Sequence, residues 1–254
     1  MTSENIIITG IEKLDNLLEG GIPGGFTTLI LGTPGSSVEI LSKQLASSGD
    51  VLYFTTEETK DEVEVTMNRF CWDSSKIDFV DITSTYSKGI LSGERKRVSI
   101  YERRSKLKLK ELIKEGSSGT PTLNKDKEDF LAIISDKINS TSSNKIILSS
   151  LDFFLGRYSH EEVLRTLHAA KVDNFEKRGA LFIIMTKGIY GEVFEKKMEG
   201  ISDCVIELEV IQKGSSFERF LAVKKVRNYA KKIGIARYVI DSEGFVLETI
   251  ERIM

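Results

Sequence analysis

The sequence is poor in the residues that metal and disulfide chemistry require. Its 254 residues include two cysteines and two histidines. Cys71 and Cys204 are too far apart in the chain to form a metal-type pair, and in a reducing compartment both are expected to be free thiols buried in the core. His160 reads as a loop residue and His168 as a helix residue; neither belongs to a ligand motif, so no metal site is expected. No apolar run approaches the ~20 residues of a membrane helix. The opening Met1-Thr2-Ser3-Glu4-Asn5 has neither the basic region nor the apolar core of a secretory signal. A cytoplasmic protein with no membrane contact is the expectation. Internal repeats and low-complexity tracts are also lacking, and a net charge of −2 names no partner class.

What is present is an alternation of strands and helices. Thr28-Leu29-Ile30-Leu31, Val51-Leu52-Tyr53-Phe54-Thr55-Thr56, Ile77-Asp78-Phe79-Val80-Asp81-Ile82, Lys145-Ile146-Ile147-Leu148-Ser149-Ser150 and Ala180-Leu181-Phe182-Ile183-Ile184-Met185 read as strands, several of them continuously apolar. Helices with one apolar face are predicted after Gly10, from Ile40 onward, around Val63-Met67-Phe70, over 129–139 and over 161–178. Unbroken apolar strands separated by helices predict a mainly parallel sheet covered on both faces. From Cys204 onward the pattern alternates, as in an antiparallel extension over about 204–254. The whole chain, 1–254, is read as one α/β domain.

The segment Gly32-Thr33-Pro34-Gly35-Ser36-Ser37-Val38-Glu39 stands between a buried strand and a helix, as a phosphate-binding loop does. That motif reads G-x-x-x-x-G-K-[ST]. Here its second glycine is Ser37, its lysine is Val38 and its hydroxyl residue is Glu39. Backbone N–H groups at a helix start still attract anions. Val38 brings no charge, however, and a Glu39 carboxylate ~4 Å from a phosphate would oppose it by about 4 kcal/mol per unit charge at an effective dielectric of ~20. That corresponds to roughly three decades of affinity. In the absence of phosphate, Glu39 suits the positive end of the helix dipole. Three readings stay open: an empty structural turn, a weakened nucleotide site and a competent one.

Further motifs lie along the chain in a definite order. Thr9-Gly10-Ile11 with Leu14-Asp15 precedes Gly20-Gly21-Ile22-Pro23-Gly24-Gly25; Tyr53-Phe54-Thr55-Thr56 ends in Glu57-Glu58; then come Ser202-Asp203-Cys204-Val205-Ile206-Glu207-Leu208, Lys224-Lys225-Val226-Arg227-Asn228 and Asp241-Ser242-Glu243-Gly244-Phe245. In this order the chain resembles, nearly end to end, the KaiC-like branch of the RecA superfamily of P-loop ATPases, as a degenerate, archaeal-type member. The resemblance implies a RecA-like core. It also implies that Glu57 and Glu58 hold the place of the water-activating pair, the alternative being a solvated strand end. Lys225 and Arg227 are implied as residues that reach a neighbouring subunit's nucleotide, against the alternative of surface charges on an edge hairpin. The family's strand-ending aspartate, which organises Mg²⁺, is replaced by Ser149, and Asp152 lies three residues beyond it. With the lysine, the hydroxyl ligand and this carboxylate all missing, no cofactor is expected, and ATP with Mg²⁺ only if weak binding survives.

One charge asymmetry remains. Between Lys88 and Lys114 ten basic residues face three acidic ones, inside an insertion over about 87–121 whose helical part is placed at Ile100 to Glu115. Such a run fits a solvated face, an acidic protein partner or a nucleic-acid backbone. The leading expectation is an inactivated ATPase relative that acts as a regulatory or scaffolding module, in signal transduction, through a protein partner or self-association. A slow ATPase and a recombination-type nucleic-acid accessory protein are the alternatives.

Overall fold

A computed structural model describes residues 5–91, 128–229 and 233–252. Most of the basic insertion, including the helix expected at 100–115, lies outside the described residues. The described elements follow in chain order: β1 (Ile6–Ile7), α1 (Glu12–Leu17), β2 (Ile22–Pro23), β3 (Thr27–Gly32), α2 (Val38–Ala46), β4 (Val51–Thr55), α3 (Lys60–Arg69) and β5 (Ile77–Asp81). A helical stretch over 82–91, α4, comes next. After the insertion come α5 (Phe130–Ser140), β6 (Lys145–Leu148), α6 (Asp152–Leu155), α7 (His160–Lys177), β7 (Ala180–Thr186), α8 (Glu192–Ile201), β8 (Cys204–Lys213), β9 (Ser216–Val226), β10 (Gly234–Asp241) and β11 (Gly244–Arg252).

The main sheet has the order β11-β10-β9-β8-β3-β7-β6-β4-β5. From β8 to β5 every pairing is parallel, and from β8 outward to β11 every pairing is antiparallel. Strand β8 is therefore the joint. It runs parallel to β3 and antiparallel to β9, so the extension expected from residue 204 begins with a strand that also belongs to the parallel core.

Alternation along the strands sorts the core into two layers. Ile30, Tyr53, Ile147, Phe182, Ile184 and Ile206 face one side, against Leu14 and Leu17 of α1, Leu41 and Leu45 of α2, and Val63 and Met67 of α3. Leu29, Leu31, Leu52, Phe54, Ile146, Leu148 and Ile183 face the other, against Ile134 and Ile138 of α5, Val163 and Leu167 of α7, and Met198 of α8. Both faces of the central strands are dry, which is why their sequences are continuously apolar rather than alternating.

Two local expectations are corrected. Cys71 is exposed, while Cys204 is buried. Cys71 follows the C-cap of α3 with φ +57°, a left-handed helix end after which Trp72, and not Cys71, packs against the core. His160 opens helix α7 instead of lying in a loop, because Ser159 and Glu162 form a reciprocal cap there: the Ser159 hydroxyl accepts from Glu162 N–H at 3.3 Å, and the Glu162 carboxylate accepts from Ser159 N–H at 2.9 Å.

Candidate functional site at the C-terminal edge of the parallel strands

In open α/β sheets, ligands bind beyond the carboxyl ends of the strands. Here β3 ends at Gly32, β4 at Thr55, β6 at Leu148 and β7 at Thr186, and the register sets Gly32 beside Thr186 and Phe54 beside Leu148. The Gly32–Glu39 turn, the Glu57-Glu58 pair, Ser149 and Asp152 are thus gathered at one edge of the sheet.

The backbone of the Gly32–Glu39 turn already carries a positive φ at Gly35, +85°. Ser37 has φ +58°, the left-handed conformation natural to glycine, at a cost of about 1 kcal/mol or more for a side-chain-bearing residue. Helix α2 begins at the next residue, and the Ser37 side chain does not cap it. The turn is held from outside. Tyr238 of β10, stacked on Phe245 at 4.2 Å, donates its hydroxyl to the Ser36 carbonyl at 2.6 Å, and Arg219 of β9 donates to the Gly35 carbonyl at 3.3 Å. Thr33 N–H donates to the Leu208 carbonyl at 3.0 Å, and Lys187 N–H to the Gly32 carbonyl at 3.0 Å. Burial pushes the Tyr238 phenol well above its ordinary pKa, and the Glu39 charge adds to this against the opposing effect of Arg219, so its hydroxyl stays a donor.

The side chains of the turn do something else. Val38 folds back on the strand end: a Cβ placed on Gly32 would lie 2.8 Å from Val38 Cβ and 2.9 Å from Ser36 Oγ, so only glycine fits at residue 32. Glu39 is exposed in the first turn of α2, and Thr33, Pro34 and Gly35 border solvent. Ser36 is buried, with its hydroxyl unpaired among the described residues.

Across the edge, the polar groups are engaged with one another. Glu58 forms an ion pair with Lys43, a lysine of α2 whose side chain is 1% exposed. Glu57 accepts from Ser150 Oγ at 2.9 Å. Ser149 lies 3.1 Å from Thr56 Oγ1 and accepts from Thr56 N–H at 3.2 Å. The Asp152 carboxylate, held at the start of α6, accepts from Thr186 N–H at 3.2 Å and also from the Thr186 hydroxyl. Burial, then the charge of Asp152, a hydrogen bond to it and the charge of Glu57 push the Tyr190 phenol up to about 12. Below the pair, Tyr53 OH lies 2.9 Å from Ser42 Oγ, and burial drives its pKa far upward despite that bond. Among the described residues, no group of three or more His, Cys, Asp or Glu side chains is arranged to hold a metal.

Lys225 and Arg227 lie on β9 and just beyond it, and both are committed within the chain. Lys225 Nζ donates to the carbonyls of Glu199 at 2.8 Å and Ser202 at 2.7 Å, at the negative end of helix α8. Arg227 pairs with Asp203 at 3.1 Å, and Lys171 with the same carboxylate oxygen at 2.8 Å. The neighbouring Glu207 carries Lys187 and, at 2.7 Å, Lys224; although burial opposes it, these hydrogen bonds hold its carboxyl down to about 2.

Sequence reasoning missed Lys43, Ser150, Thr186 and Tyr238. Lys43 is two residues past Leu41 and two before Leu45, outside the helical stripe those leucines define, so periodicity did not mark it as buried. A cleft of about 450 Å³ borders the same helix, lined by Ile40, Arg69, Phe70, Ile240, Asp241 and Ser242.

A family model described as "ATPase: KaiC" matches residues 7–251. The circadian clock oscillator protein KaiC of Synechococcus elongatus is 22% identical over 245 residues, covering 93% of this chain and 43% of that protein. Its counterpart from Prochlorococcus marinus is 21% identical over 250 residues, covering 95% and 44%. The chain therefore spans less than half the length of the curated relatives it matches. Among solved structures, a KaiC-like protein from the hyperthermophilic archaeon Pyrococcus horikoshii superimposes with a TM-score of 0.68 at 17% identity, covering 97% of this chain and 100% of that one.

Proposed function

This chain belongs to the KaiC family of ATPases, and from that premise we propose that it is a non-catalytic member acting as a regulatory or scaffolding binding module. One observation carries the reading. The groups that would meet a magnesium nucleotide are absent from the turn, and those surviving at the opposite edge are satisfied by the protein itself: Glu58 by Lys43, Glu57 by Ser150, Asp152 by Thr186. The turn offers amides to an anion but no cation at residue 38 and no metal-binding hydroxyl at residue 39. A binding role in a signalling assembly, through a protein partner or self-association, is supported by kinship with proteins named as circadian clock oscillators.

Isothermal titration with Mg-ATP at physiological salt tests the reading. No binding tighter than about millimolar is expected, a ceiling near −4 kcal/mol. Micromolar ATP binding, or phosphate release that disappears in Glu57→Gln, would overturn it.

The cleft beside α2 favours a second reading, residual nucleotide binding without hydrolysis. Phe70 and Arg69 offer an aromatic face and a cation next to the first turn of the helix, where a base could rest while its phosphates approach the turn. If ATP binds and Phe70→Ala abolishes that binding, this reading replaces the first.

A further inference from the structure

The Lys43–Glu58 pair has an unequal geometry. The lysine side chain is 1% exposed, whereas the glutamate side chain is 39% exposed. The ammonium is thus a charge sealed beneath helix α2, and its counter-ion reaches it from solvent off the end of β4. We propose that the Glu58 carboxylate is an internal substitute for a bound oxyanion, occupying an anion site whose cation is Lys43. The inference rests on the reading of the edge as self-satisfied, and it names the group that does the satisfying.

Three features support it. First, α2 is the helix that follows the Gly32–Glu39 turn, so the cation missing at residue 38 has a counterpart five residues later on the same helix, itself buried. Second, the neutral groups next to the pair are engaged elsewhere: Ser42 and Tyr53 are bonded to each other, and burial holds the Tyr53 phenol protonated. A further carboxylate that feels the Lys43 charge, Glu62, is committed to the cap of α3, accepting from Thr59 N–H at 2.7 Å and from the Thr59 hydroxyl at 2.9 Å. Third, a buried ammonium without a partner is far costlier than the pair, whereas replacing both partners with apolar groups is often neutral. Removing Glu58 should therefore leave a cation that seeks an anion, facing an opening the size of the lost side chain.

The experiment follows the melting temperature of the whole chain in four forms: wild type, Glu58→Ala, Lys43→Met and the double variant. Each is measured with and without sodium formate, at ionic strength held constant with sodium chloride. Glu58→Ala is expected to melt about 10 °C lower and to be restored progressively and saturably by formate, as a ligand that binds the folded state restores stability. Lys43→Met and the double variant should melt near wild type and ignore formate. If Glu58→Ala is insoluble, the yield of soluble protein on refolding in formate is the readout. The proposal is overturned if Glu58→Ala melts like wild type, if it gains nothing from formate, or if the double variant gains as much. None of these outcomes depends on ATP, so this inference and the non-catalytic reading can fail separately.

Discussion

The two sides of the candidate site are held in different ways. The Gly32–Glu39 turn is defined by its backbone: Ser37 adopts a left-handed conformation natural to glycine, and Val38 packs closely against Gly32. The facing edge, from Thr56 to Glu58 and from Ser149 to Asp152, preserves polar side chains and has bound them to one another. The contrast shows that the two kinds of feature are maintained by different forces. The turn conformation is clamped by residues distant in the chain; Tyr238 and Arg219 hold the carbonyls of Ser36 and Gly35. The polar side chains of the facing edge are held instead by bonds to one another, although Glu57 is exposed and Glu58, Ser149 and Asp152 are half-buried.

The largest effect is expected from releasing the clamp. Tyr238→Ala removes a fully buried ring from its stack on Phe245 and should cost about 3–5 kcal/mol in chemical denaturation. Tyr238→Phe keeps the ring and loses only the bond to Ser36, for about 1–2 kcal/mol. Equal losses in the two variants would mean that the hydroxyl, not the packing, holds the turn.

A smaller effect sharpens the account of the charged network beside the turn. The carboxyl of Glu207 is held at about 2, below its ordinary value of 4.5, so the folded state releases this proton more readily than the unfolded one. Its contribution to stability is present above about pH 4.5 and is lost as the pH falls towards 2. Glu207→Gln should therefore flatten the acid limb of a plot of melting temperature against pH. An unchanged acid limb would show that the ion pairs with Lys187 and Lys224 contribute nothing.

The smallest change is expected at Arg227. Its side chain is 45% exposed, and Asp203 keeps Lys171 and the Thr27 amide as partners when it is gone. Arg227→Ala should cost at most about 1 kcal/mol. A larger loss would mark Arg227 as a structural keystone of the extension.

Much of the architecture was legible in the chain. Continuously apolar stretches such as Ala180 to Met185 announced strands buried on both faces, and the order of motifs announced the family. The Gly32–Glu39 turn was legible as well, because its place between strand and helix is a local property. The dual character of β8 was not, since one strand's sequence does not say which neighbour lies on each edge. Nor was the exposure of Cys71, which depends on the direction the chain takes on leaving α3.

Hydrophobic period and residue identity are properties of short windows, so the α/β class, the family and the presence of Val38 and Glu39 in the turn could be read from the chain alone. Only the tertiary structure decided that Lys43 is sealed against Glu58, that Tyr238 holds Ser36 from 202 residues away, and that Lys225 and Arg227 are spent on Ser202 and Asp203. Polar partnerships act over about 3 Å and join segments far apart in the chain, so they come into being only once the sheet has set those segments side by side.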